Sequence, residues 1–177
     1  MRFLQHRYAY VLTAALLLVA MTALEYLYFR RLSGGIPGLD MRFAGFSDED
    51  VTKWLMGLGA HGREAVLVLH YLTLDMVLPV VLGLALASLI AAAGNRLPGF
   101  ARLGETAKAA LAIGLVMPYV VADYAQNFAV ARMLDDPTMA TPAAIALASG
   151  LNVAKFALAA VPVAVLPTLF LAGQRKR

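Results

Sequence analysis

Four long apolar stretches, separated by shorter polar segments, dominate the sequence. They cover roughly residues 10–29, 62–93, 106–134 and 142–172. A helix needs about 20 apolar residues to cross the hydrocarbon core of a bilayer, and each stretch reaches that length. The pattern therefore predicts an all-α, polytopic membrane four-helix bundle, built as a single transmembrane domain over residues 1–177.

The connection between the first two spans, residues 30–60, is the one substantial hydrophilic segment. Glycine and proline mark a turn-rich start at residues 34–38. Ser47 then precedes three acids, and Asp50 three residues later predicts a variant of the capping box. Because Val51, Trp54 and Leu58 recur at helical spacing, we expect a short amphipathic helix over about residues 48–58, in the first extracytoplasmic loop.

The composition supports a membrane location and changes how the net charge is interpreted. Hydrophobic residues make up 61% of the chain and charged residues 15%, and the mean hydropathy is +0.73. In a soluble protein a net charge of +4 would suggest nucleic acid. Here the basic residues lie mainly at the ends of the spans, which is typical of membrane proteins, so we expect the lipid bilayer as partner and no nucleic acid.

The distribution of charge between the connections predicts the topology. Eight basic residues fall on one side (Arg2, Arg7, Arg96, Arg102, Lys108, Arg175, Lys176, Arg177), and most acids of the connections fall on the other (Asp40, Asp48, Glu49, Asp50, Asp135, Asp136). The positive-inside rule then places both termini in the cytoplasm. We expect a multi-pass protein of the bacterial inner membrane whose first span is retained, because no small-x-small cleavage site follows it.

Several chemistries are excluded by missing residues. The chain has no cysteine, which excludes disulfides, iron–sulfur clusters, thiolate zinc sites and dithiol redox chemistry. His70 has no second histidine at ligand spacing, and neither HExxH nor Glu-x-x-His repeats occur. No glycine-rich phosphate loop precedes a helix. We therefore expect no metal and no cofactor.

Ionisable and amide residues inside the spans are the candidate site. Such residues are costly in lipid and normally face a protein interior or a watery cavity. At a rise of 1.5 Å per residue, those in the last three spans lie roughly 10–19 Å from the outer ends. Each of these spans carries its polar residues on one stripe, and the third stripe also holds Tyr119 and Gln126. The predicted ligand- or ion-binding residues are Arg63, His70, Asp75, Asp123, Asn127, Asn152 and Lys155.

Within this set the charges predict a pairing. Lys155 lies at nearly the depth of Asp75 and Asp123, so we expect one lysine shared between two carboxylates, with Arg63 at the mouth of the site and His70 in its middle. The alternative for the asparagines is packing, because amide side chains also join transmembrane helices. The alternative for His70 alone is a hydrogen-bonded core residue.

A resemblance to a known group of proteins rests on a small set of spaced residues. Leu55, Leu58, Gly59, Gly62 and Arg63, then Asp75 with Pro79, then Asp123 with Asn127, give a spacing that resembles four-span bacterial integral membrane proteins with no associated activity. The resemblance covers the second and third spans and the loop before them. It implies the same four-span fold and names no reaction.

Three functions are compatible with these features. The leading hypothesis is a cavity in the outer half of the bilayer that binds or transports a small polar ligand, an ion or protons, with Pro79, Pro118, Pro162 and Pro167 bending the helices around it. The second is a membrane-embedded enzyme acting on a lipid or isoprenoid, for which an apolar slot ending at His70 would be the distinguishing feature. The third is an accessory subunit. A homo-oligomer or another membrane partner stays open.

Overall fold

The computed structural model describes residues 6–174, and the described part of the chain is helical without strands. Four helices are long and apolar enough to cross a membrane: α1 (Arg7–Leu32), α2 (Asp48–Gly94), α3 (Glu105–Asp135) and α4 (Pro142–Gln174). The prediction of an all-α protein with four candidate spans is therefore confirmed. Arg2 and the basic end at residues 175–177, which the topology prediction used, lie outside the described residues.

Helix α2 is interrupted in two places. Gly59 has φ +63°, a left-handed value that suits glycine, and it separates a first helical segment from the rest of α2. Leu67–Leu74 is π-helical, as is Glu25–Phe29 in α1. π-Helical segments are frequent at functional sites, and the segment Leu67–Leu74 directly precedes Asp75.

The N-terminus of α2 has the predicted cap. The amide of Asp50 donates to Ser47 Oγ, and the amide of Ser47 donates to Asp50 Oδ2, which completes a capping box. The apolar residues that the sequence placed at helical spacing after it, Val51, Trp54 and Leu58, are buried.

Residues 33–47, here called the strap, connect α1 to α2 and lie against α4. Leu39–Met41 forms a single 3-10 turn within it. The amide of Gly38 donates to Glu25 Oε1 at 2.8 Å, the amide of Phe46 donates to Ser149 Oγ at 2.8 Å, and Asn152 Nδ2 donates to the carbonyl of Arg42 at 2.8 Å. These bonds fix the strap at both ends, so its middle is held against the helices.

The helices pack through two apolar clusters. Helix α2 contacts α1, α3 and α4, and α3 also contacts α4. One cluster joins the strap to the start of α2, the end of α3 and the start of α4 around Trp54, Val130 and Ala148. The other joins the later part of α2 to the first half of α3 around Leu86 and Val116. Asp75 in α2 comes between these two clusters, as do the buried polar residues of the last part of α3 and the middle of α4 (Asp123, Gln126, Asn127, Asn152 and Lys155).

Candidate ligand-binding site

The core of the site is Lys155, whose ammonium contacts three oxygens. Its Nζ lies 2.7 Å from Asp40 Oδ1 and 2.9 Å from Asp123 Oδ1, and it donates to Gln126 Oε1 at 2.8 Å. Lys155 is 94% buried. It therefore depends on these partners for the solvation that water would otherwise supply. The lysine is shared between two carboxylates, as the sequence analysis expected, but they are Asp40 and Asp123 and the expected pairing with Asp75 is wrong.

Asp40 is the member of the site that the sequence analysis missed. Beyond Lys155, its Oδ2 accepts a hydrogen bond from the Tyr71 hydroxyl at 2.5 Å and lies 3.3 Å from His70 Nε2. Asp40 reaches these groups because the strap carries it between the helices. In the sequence it was counted only as an acid of the outer loop, and the one local signal for burial is its position between Leu39 and Met41.

Asp40 lies outside the spanning helices, and its surroundings favour the ionised form. Burial by itself raises the pKa of this carboxyl, but the charge of Lys155 and the hydrogen bond of His70 outweigh burial, so the pKa of Asp40 lies well below its usual range. Since the folded-state pKa is depressed, the contribution of Asp40 to stability is present above the ordinary carboxyl pKa. It is lost only as pH falls through the depressed value.

Asp75 lies in the same cluster, and one of its carboxylate oxygens is unpaired within the described residues. Its Oδ2 is 3.9 Å from His70 Nε2 and has no hydrogen-bond partner among the described residues, although Asp75 is 97% buried. A side chain of α3 binds the backbone carbonyl of Asp75. Pro79 has no amide to donate to the carbonyl of Asp75 four residues earlier, and Asn127 Nδ2 donates to that carbonyl at 3.2 Å instead.

The remaining predicted residues differ in how deeply they are buried and in what they contact. Asn127 and Asn152 are buried and bind backbone carbonyls, of Asp75 and of the strap respectively, which is the packing alternative that the sequence left open. Arg63 is partly buried and does not line the cavity described below, and Glu64 is exposed. Tyr71, Tyr119 and Gln126 join the cluster, with the Tyr119 hydroxyl donating to Asp123 Oδ2 at 3.1 Å.

A cavity of about 320 Å³ ends at this cluster. Asp40, His70, Asp75, Tyr119, Asp123 and Lys155 form its polar end. Its other walls are apolar and come from α1, the strap, α2 and α4 (Leu18, Met21, Met41, Phe43, Leu78, Leu82, Phe156, Ala159), together with Thr22. Ligand pockets commonly have volumes of about 300–1,000 Å³ and combine apolar walls with a few convergent polar groups.

The cluster holds more acid than base. Asp40, Asp75 and Asp123 face Lys155, which among the residues described here is the single lysine or arginine lining the cavity. If all three carboxylates are ionised and His70 is neutral, three carboxylates and one ammonium give a formal charge of −2. An uncompensated charge in a buried site is costly, so the cluster is suited to accept a cation.

No family model, curated protein or solved structure matches the chain. The class that the fold supports is a membrane protein with four candidate spanning helices. Any more specific function has to be inferred from the geometry of the cavity and its polar end.

Proposed function

We propose that the protein binds an amphiphilic molecule taken from the bilayer, with the hydrocarbon part in the apolar cavity and the polar head at the cluster. One observation carries the proposal: a single cavity of about 320 Å³ has apolar walls and an ionisable end. Burying hydrocarbon against such walls is favourable by about 25 cal/mol per Å², a gain that a hydrated ion or a fully polar solute would not obtain.

The position of the cavity supports entry from the lipid. Its walls include Leu18 and Thr22 of α1 on one side and Phe156 and Ala159 of α4 on another, and all four side chains remain at least partly exposed on the surface of the helices. An apolar slot between two spanning helices that ends at His70 is the feature that distinguishes a lipid-like ligand from a small ion. The proposal therefore replaces the small polar ligand of the leading hypothesis with an amphiphile, the class of molecule on which the second hypothesis rests.

The charge of the cluster predicts which head group binds best. Because carboxylates outnumber the lysine, a cationic head is favoured over a neutral one, and a carboxylate head is disfavoured by repulsion. Dodecylamine, dodecanol and laurate share the same hydrocarbon chain length and differ in the head group. We expect dodecylamine to raise the melting temperature of the purified protein in nanodiscs containing EDTA most strongly, and laurate least.

A paired substitution tests whether this binding uses the cavity. Ala159→Phe places a large side chain in the apolar wall, whereas Ala160→Phe adds the same volume at the neighbouring exposed position. The first is expected to abolish the dodecylamine shift and the second to preserve it. Equal shifts in both variants, or no shift with any of the three probes in the unmodified protein, would contradict the proposal.

The remaining parts of the membrane architecture belong to the same proposal. We propose that the four helices form one bundle and that the first segment of α2, up to Gly59, lies at the membrane interface as an amphipathic helix. The charge distribution supports an orientation with both termini in the cytoplasm and the strap outside. In this orientation the cavity opens in the outer half of a bacterial inner membrane.

A second candidate function, catalysis on a lipid or isoprenoid, is favoured by the position of His70. Its Nε2 lies 3.3 Å from the carboxylate of Asp40 and 3.9 Å from that of Asp75 at the end of the cavity, where an imidazole is suited to transfer a proton to or from a bound head group. If this function is correct, incubating the protein with a polar lipid extract yields a product of changed mass. The His70→Gln variant should form none while retaining the dodecylamine shift. Identical lipid profiles with both proteins would count against catalysis and leave binding as the function.

A further inference from the structure

Three side chains of the cluster place potential metal ligands close together. Asp40 Oδ2 lies 3.3 Å from His70 Nε2, and Asp75 Oδ2 lies 3.9 Å from the same nitrogen. The three atoms all lie within 4.8 Å of one another. At metal–ligand distances of about 2.0–2.2 Å, neighbouring ligands of a tetrahedral or octahedral ion are roughly 3.0–3.5 Å apart. Small rotations of the side chains would bring all three atoms to that spacing.

The unpartnered groups of these side chains point independently to a bound ion. Asp75 is 97% buried, lines the cavity, and its Oδ2 accepts no hydrogen bond within residues 6–174. His70 Nδ1 has no partner there either, so the polar contacts of the imidazole are those of Nε2 with the two carboxylates. A buried carboxylate oxygen without a partner is costly, and a cation between these groups removes that cost.

The charge of the fully ionised cluster matches a divalent ion. Metal ligands are deprotonated when they bind, and with the three carboxylates ionised and His70 neutral the formal charge of −2 is balanced by one divalent cation. The mixture of one imidazole and two carboxylates suits Zn²⁺, Mn²⁺ or Fe²⁺ better than Mg²⁺ or Ca²⁺, which prefer oxygen ligands alone. The sequence analysis expected no metal because His70 has no partner histidine. The ligand that the sequence analysis did not consider is Asp40, which lies on the strap.

We propose that Asp40, His70 and Asp75 bind a divalent transition-metal ion at the polar end of the cavity. The Tyr71 hydroxyl and Lys155 hold the Asp40 carboxylate in place, as outer-shell partners commonly orient metal ligands. All three ligands line the cavity, so an open coordination position faces the space where a head group would lie. The inference goes beyond the binding proposal, because it concerns the cluster without an amphiphile. A bound dication would neutralise the excess negative charge, so the preference for a cationic head group applies to the metal-free protein.

The test uses the full-length protein in nanodiscs, stripped with EDTA, without added amphiphile. After incubation with Zn²⁺, Mn²⁺ or Mg²⁺ and desalting, elemental mass spectrometry measures the metal that is retained. We expect close to one equivalent of Zn²⁺ or Mn²⁺ and a raised melting temperature, with no retention of Mg²⁺. His70→Gln and Asp75→Asn should each weaken binding by roughly tenfold or more.

A control variant and a comparison with the dodecylamine assay make the result specific. His61→Gln removes an exposed imidazole from the same helix and should leave the retained metal unchanged. If His61→Gln lowers retention as much as His70→Gln, or if the stripped protein retains none of the metals, the proposed site is wrong. Should Asp75→Asn fail to fold, His70→Gln decides the outcome by itself.

Since dodecylamine binding is measured in EDTA, dodecylamine binding without metal retention would contradict the metal site alone. The absence of both would contradict both proposals.

Discussion

Replacement of Lys155 by methionine is expected to lower the free energy of unfolding by about 3–5 kcal/mol, the range for breaking one side of a buried ion pair. The ammonium contacts Asp40, Asp123 and Gln126 within 2.9 Å. Methionine has a similar shape and carries no charge, so the carboxylates would remain buried without a cation. Unfolding by a graded increase of denaturing detergent, followed by circular dichroism, measures the loss.

The exposed ion pair between Lys53 and Glu49 provides a matched control for Lys155. Their side chains are 64% and 75% exposed, and such pairs add little to stability, so Lys53→Met should leave the unfolding curve nearly unchanged. Adding Asp123→Asn to Lys155→Met should recover part of the lost stability, because it removes one of the unpaired carboxylates. If Lys155→Met were as stable as Lys53→Met, the buried charge cluster would not have the energetic role inferred here.

Substitution of Gly45 by alanine is expected to have the second largest effect, about 2–3 kcal/mol, because it combines backbone strain with a lost hydrogen bond. Gly45 has φ +94°, and an added Cβ would lie 2.7 Å from Ser149 Oγ. The Ser149 hydroxyl accepts a hydrogen bond from the amide of Phe46, so displacing the hydroxyl leaves a backbone donor unpaired. The strap would then shift from α4 and carry Asp40 away from Lys155.

The Gly35→Ala variant separates the cost of backbone strain from the cost of the lost hydrogen bond. Gly35 has the same φ of +94°, but an added Cβ would meet nothing within 4 Å. Gly35→Ala should therefore cost only the strain of a left-handed residue, about 1–2 kcal/mol, and should preserve dodecylamine and metal binding. The Gly45→Ala variant is expected to lose both. Equal stability and equal binding in the two variants would show that the contact with Ser149 does not position the strap.

The four helices could be predicted from the sequence because length and hydropathy alone determine them. Each apolar stretch was long enough to cross a bilayer, and Ser47 with Asp50 marked the start of α2 by a local pattern. The π-helical interruption of α2 was not predicted, whereas the break at Gly59 falls at the end of the helix that was predicted over about residues 48–58. A π-helical segment such as Leu67–Leu74 depends on packing against other helices, and the sequence analysis instead assigned bending to the prolines. Helices α2, α3 and α4 continue through Pro79, Pro118, Pro162 and Pro167.

The site was predicted in part, for reasons that follow from helix geometry. His70, Asp75, Asp123 and Lys155 line one cavity because residues at similar depth on inward-facing stripes meet when the helices pack. Asp40 was missed because its position depends on the path of a loop, which no periodicity describes. Lys155 was assigned Asp75 as a partner for the same reason: without the strap, Asp75 was the nearest remaining acid by depth.

The distribution of the cluster over the chain also has a consequence for biogenesis. Asp40, Asp75 and Asp123 lie on the strap and on the two helices that follow it, whereas Lys155 lies on α4, which is synthesised after all three. During synthesis the three acids are therefore present before the cation that contacts two of them. Until α4 packs against the other helices, Asp40 and Asp123 lack their contact with Lys155, so the docking of α4 is the step that brings the buried acids and their cation together.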